Sequence, residues 1–248
     1  MHEQDTPFTH AGYRVWSRYE PEKARRLLDG ITTRTLAVSE SIKDNPRNYI
    51  ARATFEGDDA IVKIPRSRDR RLYEQFLTWF RPGEAVRRYA SMVTLERLGF
   101  SGTPPILAAE RRRAGRVVEN IFVYGYAKGR LAGPGDEALL VQELVRLYQL
   151  GYLRRDCKPG NFVIDGDQVH FIDFRLTRPR WLRRFRIYME FNHFLENMPT
   201  ARPLVEAAGY QGVGFALAGW LKSVYTRWNK RRQRLSRLLR GRRRESTQ

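Results

Sequence analysis

The chain has 248 residues, with 46 Lys and Arg against 27 Asp and Glu, a formal charge of +19. Hydrophobic residues at 42% and aromatics at 12% exclude a disordered chain and suit one large domain or two small lobes around a sizeable core. A single cysteine, Cys157, excludes an internal disulfide and argues against a cysteine metal site. The positive excess calls for something anionic (nucleic acid, a membrane surface or a phosphorylated substrate) without choosing among them. Residues 1–5 carry acids and no apolar run, so no secretory signal is expected there. The longest apolar stretch, at 213–221, is far short of the ~20 residues that cross a bilayer. A protein of a reducing cytosol is expected.

In chain order, residues 20–30 predict a short helix with Ala24, Leu27 and Leu28 on one face. Strand-like runs follow at 35–38, 49–55 and 60–64, separated by turn signals at Asp44-Asn45-Pro46 and Glu56-Gly57-Asp58-Asp59. Residues 70–98 read as helical with a break near Arg81-Pro82-Gly83, and two further strands fit 105–109 and 116–124. An amphipathic helix is predicted over 135–151, with Leu139, Leu140, Leu144, Leu147 and Tyr148 on one face. Short strands at 162–164 and 169–172 precede helices that fill most of 182–240. A β-rich front and a helical back predict a bilobal α+β plan.

The most informative stretch runs from Tyr152 to Phe174. Phosphoryl transfer from ATP needs a carboxylate to accept the proton of the attacking hydroxyl and a cation to balance the moving charge. It also needs an amide and a second carboxylate to hold Mg²⁺ against the phosphates. Asp156, Lys158, Asn161 and Asp173 supply that set in order, with a β-hairpin between Asn161 and Asp173. The spacing resembles the catalytic loop and metal motif of protein-kinase-like enzymes. An Asp-Lys-Asn trio alone is usually a solvated turn. The flanking strands and the second Asp make chance the minor reading.

Upstream, Lys63 in Ile61-Val62-Lys63-Ile64 stands where that pattern puts the lysine binding the α/β-phosphates. The bland alternative is a strand-end lysine facing water. A helix glutamate should pair with it; Glu84 is chosen, with Glu74 and then Glu96 as alternatives. The connector Tyr124-Gly125-Tyr126-Ala127 is read as a hinge whose backbone at Gly125 and Ala127 contacts adenine. Boundaries follow: an ATP-binding N-lobe at 1–123, a hinge at 124–129, a catalytic C-lobe at 130–220 and a basic amphipathic segment at 221–248. Cys157 and His170 receive no role, since no histidine stands beside Cys157 in sequence.

On these residues, together with Gly12-Tyr13-Arg14-Val15, Arg71-Leu72-Tyr73-Glu74-Gln75-Phe76-Leu77 and Pro159-Gly160-Asn161-Phe162, the chain resembles the lipopolysaccharide core heptose kinase family of the protein-kinase-like superfamily. The resemblance implies a protein-kinase-like fold and ATP- and Mg²⁺-dependent phosphorylation of a heptose in the inner core. It also implies work at the cytoplasmic face of the inner membrane. Departures are plain. Residues 43–48, Lys-Asp-Asn-Pro-Arg-Asn, replace the glycine-rich loop, Arg154 stands for the usual His, and Arg175 for the usual Gly. The absence of an Ala-Pro-Glu sequence argues against a protein acceptor.

From Lys222 to Arg244 there are eleven Lys and Arg and no acid, and Leu221, Val224, Tyr225, Trp228, Leu235, Leu238 and Leu239 fall largely on one helical face. That pattern suits anionic lipid. Arg178, Arg180, Arg183, Arg184 and Arg186 are expected to extend the basic surface or bind acceptor phosphates. The resemblance implies core glycolipid as the acceptor, and the basic face makes an anionic membrane surface the expected partner. Rival readings are a kinase with a small-molecule or protein acceptor, and a weakly active kinase-like scaffold. Nucleic acid is not expected, because no base-reading module accompanies the charge.

Overall fold

The computed structural model describes residues 7–46, 48–66 and 76–228. The chain forms two compact units, Met1–Ala132 with Asn161–Leu176, and Gly133–Gly160 with Thr177–Gln248. Most of segment 71–77, Glu74 included, and Leu235, Leu238 and Leu239 lie outside the described residues.

In the first unit, β1 (Phe8–His10), β2 (Tyr13–Ser17), β3 (Ala37–Asp44), β4 (Asn48–Phe55), β5 (Asp58–Pro65), β6 (Pro105–Arg113) and β7 (Arg116–Gly125) form one sheet. Its order is β1-β2-β6-β7-β5-β4-β3, and all its pairs are antiparallel. Side chains alternate across the sheet. One face carries Val15, Ala53, Ala60, Val62, Leu107, Ala109, Ile121 and Val123, packed with Ala24, Leu27, Leu28 and Ile31 of α1 (Pro21–Thr32). Because Val62 takes that face, its neighbour Lys63 falls on the other, against which α2 (Glu84–Arg97) packs on β6 and β7.

The short β1 and β2 were not expected from sequence. Strand β3 also runs beyond its predicted end at 38, as far as Asp44. It is an edge strand, exposed throughout and bulged at Val38/Glu40 and Ser41/Lys43. Bulges of this kind protect an edge from further pairing. The glycine-poor connection to β4 is a tight turn: Asn48 N–H donates to Asn45 Oδ1 at 2.9 Å, and Asn45 N–H to Asn48 O at 3.1 Å.

A smaller sheet, β10-β9-β8, joins β8 (Arg130–Leu131), β9 (Phe162–Asp165) and β10 (Gln168–Phe171). Gly129 leads into it at φ +118°, where a Cβ would lie 2.3 Å from Ile164 O, so the position requires glycine. Beneath the hairpin, Phe171 packs edge-on against Phe100, Phe162 and Phe174.

The second unit holds α3 (Glu137–Gln149), α4 (Arg183–Leu195), α5 (Arg202–Ala207) and a helical run over 213–228. Helix α3 buries Leu140, Leu144, Leu147 and Tyr148 as its 3.6-residue pattern requires. Arg183 donates to the terminal carbonyls of Tyr148 and Gln149, completing the end of α3. Arg183 is itself exposed while it makes these bonds.

Candidate active site

Lys63 is 5% exposed. Its ammonium donates to Asp173 Oδ1 at 2.5 Å, across 110 residues of chain. Burial pushes the ammonium below the usual lysine range; Arg88 pushes the same way, while Asp173 opposes both. Asp173 itself sits at φ +47°, a left-handed conformation costly for a residue with a side chain. The fold holds it there between Ile172, whose N–H donates to Asn161 O at 3.0 Å, and the buried Phe174.

Arg88, which sequence reasoning passed over, also binds Asp173. Through Nε and Nη2 it reaches Glu84 Oε1 at 3.0 and 2.8 Å, one helical turn earlier. Glu84 thus engages Arg88, and its charge also acts on Lys63. The start of α2 is fixed from the sheet. Buried Glu110 accepts from Gly83 N–H at 2.7 Å, and Asn120 Oδ1 accepts from Ala85 N–H at 3.4 Å. These side chains serve N–H groups that the helix cannot satisfy itself. At the far side, Leu176 N–H donates to Ser91 Oγ at 3.1 Å, tying the segment after Asp173 to α2.

Asn161 and Asp173 offer an amide oxygen and a carboxylate, hard donors of the kind Mg²⁺ takes. Among the described residues no group of three His, Cys, Asp or Glu could hold a metal. At the expected hinge, Gly125 N–H donates to Pro104 O at 2.8 Å and Tyr126 N–H to Asp59 O at 3.1 Å. Gly125 N–H is thereby engaged within the protein. Ala127, two residues on, is half-buried.

Asp156 and Lys158 belong to the second unit. Both are about half exposed, with Lys158 Nζ 3.8 Å from Asp156 Oδ1. The loop that presents them hangs on a residue the sequence did not reveal, Glu190 of α4. Its carboxylate accepts from the backbone N–H groups of Arg154 (3.0 Å) and Arg155 (2.8 Å) and from the Tyr148 hydroxyl (3.1 Å). Burial pushes the Glu190 carboxyl up, and those two backbone N–H donors pull it back. Arg155 adopts φ +70° immediately before Asp156. Arg154 is fully buried, and burial lowers its guanidinium to about 10. Cys157 donates to Glu190 O at 3.1 Å, and burial pushes its thiol up to about 12.

No protein-family model matches the chain, and no curated protein matches it. Among solved structures, WaaP in complex with acyl carrier protein aligns with TM-score 0.51 at 15% identity, over 88% of this chain and 97% of that one. The PknI kinase domain of M. tuberculosis aligns with TM-score 0.37 at 16% identity, over 56% of this chain and 57% of that one. The likeness to WaaP shows the fold: mixed α and β around a large antiparallel sheet, of the protein-kinase-like kind expected from sequence.

Glu190→Ala removes the common acceptor of two backbone N–H groups and a buried hydroxyl. It should cost about 3 kcal/mol, since each donor left unsatisfied costs ~1–3 kcal/mol. The native Cys157 thiol should resist alkylation at pH 8, whereas in Glu190→Ala it should label rapidly; equal labelling rates would contradict the scaffold role. Because the folded thiol keeps its proton up to about 12 and the unfolded one releases it near 9.0, Cys157 should contribute stability that is lost as pH rises between those values. Denaturant titrations of wild type and Cys157→Ala across that range check the sign.

Proposed function

We propose that the chain is an ATP-dependent phosphotransferase that phosphorylates a heptose of the lipopolysaccharide inner core. The observation that carries this reading is the pair that buried Lys63 makes with the partly exposed Asp173, a cation and a carboxylate drawn from distant segments and held at 2.5 Å. The WaaP-like fold supports it, as does the ordered set Asp156, Lys158, Asn161 and Asp173. In this reading Lys63 anchors the α/β-phosphates of ATP and the backbone at Ala127 meets the adenine. Asn161 and Asp173 would hold Mg²⁺, which when bound supplies charge neutralisation on the phosphates.

The chemistry is a single displacement. The acceptor hydroxyl oxygen bonds to the γ-phosphorus, the bond to the β-phosphate bridging oxygen breaks, and ADP leaves. Asp156 takes the hydroxyl proton, and Lys158 offsets charge on the transferring group. Glu84 and Arg88 set the position of Asp173 from α2.

The reading includes attachment to the cytoplasmic face of the inner membrane. Among the described residues no helix is long and apolar enough to cross a membrane. The helical run 213–228 turns Phe215 and Ala218 inward, yet exposes Val213, Leu217, Trp220, Leu221, Val224, Tyr225 and Trp228. Trp181 and Leu182 are also exposed, at 80% and 73%, among arginines. Apolar side chains beside abundant Lys and Arg suit the boundary of an anionic bilayer. Because WaaP was solved with acyl carrier protein, a protein partner for this chain belongs to the same proposal.

With labelled ATP, the purified chain should transfer γ-phosphate to core glycolipid, and Asp173→Asn should reduce the rate about a hundredfold or more while retaining the wild-type circular dichroism spectrum. A folded Asp173→Asn protein with wild-type turnover would sink the mechanism. For the membrane surface, Trp220→Ser/Trp228→Ser should release the chain from vesicles containing phosphatidylglycerol in a flotation assay. Undiminished flotation would exclude that helix as the attachment face.

A further inference from the structure

His193 lies on α4, one turn beyond Glu190. Its Nε2 is 3.6 Å from Asp156 Oδ1, the same oxygen that Lys158 approaches. Its other nitrogen, Nδ1, accepts from Lys222 Nζ at 3.0 Å. Lys222, from the helical run 213–228, has a side chain only 13% exposed and pairs at 2.5 Å with Glu196 Oε2. Glu196 Oε2 is 3.4 Å from Nδ1, longer than either bond Lys222 makes.

These contacts determine where the imidazole proton sits. An ammonium has donors only, so Nδ1 must present its lone pair to Lys222. The ring proton is then on Nε2, aimed at the carboxylate of Asp156. At 3.6 Å the contact is longer than a formed hydrogen bond. Contacts of this kind commonly shorten when substrate is bound.

We propose that His193 is a positioning residue for Asp156: its Nε2–H orients the carboxylate, and Lys222 with Glu196 locks the tautomer that makes it a donor. The inference rests on the phosphotransferase reading, in which Asp156 takes the acceptor's proton. His193 keeps its own proton throughout, and no group beyond acceptor and Asp156 changes protonation. An exposed histidine that merely sits among acids would have no preferred tautomer and no effect on turnover.

The test uses the full chain in two measurements. Two-bond proton–nitrogen correlation spectra of the ¹⁵N-labelled protein should show His193 as the Nε2–H tautomer, and Lys222→Met should allow the Nδ1–H form. In transfer assays with core glycolipid, His193→Phe should lower kcat by about tenfold or more, part of the 10²–10⁴ that a general base supplies, with the KM for ATP unchanged. His193→Gln, whose side-chain NH₂ can replace Nε2–H, should recover most of that loss. An Nδ1–H tautomer in the wild type, wild-type kcat in His193→Phe, or equal losses in the Phe and Gln variants would each overturn the inference while leaving the enzyme reading intact. A wild-type chain that transfers phosphate to no acceptor would instead overturn the enzyme reading, and the role of His193 with it.

Discussion

A lysine ammonium almost closed to water has to be paired, because an uncompensated buried charge costs several kcal/mol. In the first unit that need is met at Lys63 by Asp173, and much of the surrounding architecture serves the meeting. The alternation of β5 turns Lys63 away from the α1 core that claims Val62. The phenylalanines under the β9–β10 hairpin fix the segment that carries Asp173. Helix α2, held at its start by Glu110 and Asn120, brings Arg88 to the same carboxylate. Two cations then share one acid, both meeting Asp173 Oδ1.

The second unit uses the opposite device. There a largely buried carboxylate, Glu190, holds backbone, collecting the N–H groups of Arg154 and Arg155, with the charge of the buried Arg154 guanidinium also acting on it. Acceptance of backbone donors helps a carboxylate stay in the interior. Positive φ at Arg155 next to Asp156, and at Asp173, puts backbone strain beside both proposed working carboxylates. Elsewhere left-handed residues such as Ala11, Glu56 and Ala114 sit in hairpin turns, where the conformation is ordinary.

Local pattern made part of this legible from sequence. The alternation at 49–55 and 60–64, the amphipathic stripe of α3 and the order Asp156, Lys158, Asn161, Asp173 are all short-range signals, and the structure has strands β4 and β5 and helix α3 where they point. The residues that were missed act at long range or look ordinary in sequence. Glu190 contacts backbone 35 and 36 positions away, and nothing in Tyr188-Met189-Glu190-Phe191 separates it from a solvated helix glutamate. Arg88 reads as the partner in a routine Glu84–Arg88 helix pair; its second bond, to Asp173, appears only when the chain is folded. Strands β1 and β2 escaped because three and five residues give too little alternation to register. That Gly125 N–H bonds to Pro104 O depends on strand exit geometry, which composition does not encode.

In the proposed reading, the paired Lys63 and Asp173, and Asp156, serve phosphate transfer to a sugar hydroxyl. Mass spectrometry of purified core glycolipid, incubated with the full chain and ATP, is the decisive measurement. The predicted result is the gain of one phosphate, located on a heptose by fragmentation and absent when ATP is omitted. Unmodified glycolipid in a reaction where the same protein phosphorylates a protein or a soluble small molecule would contradict it.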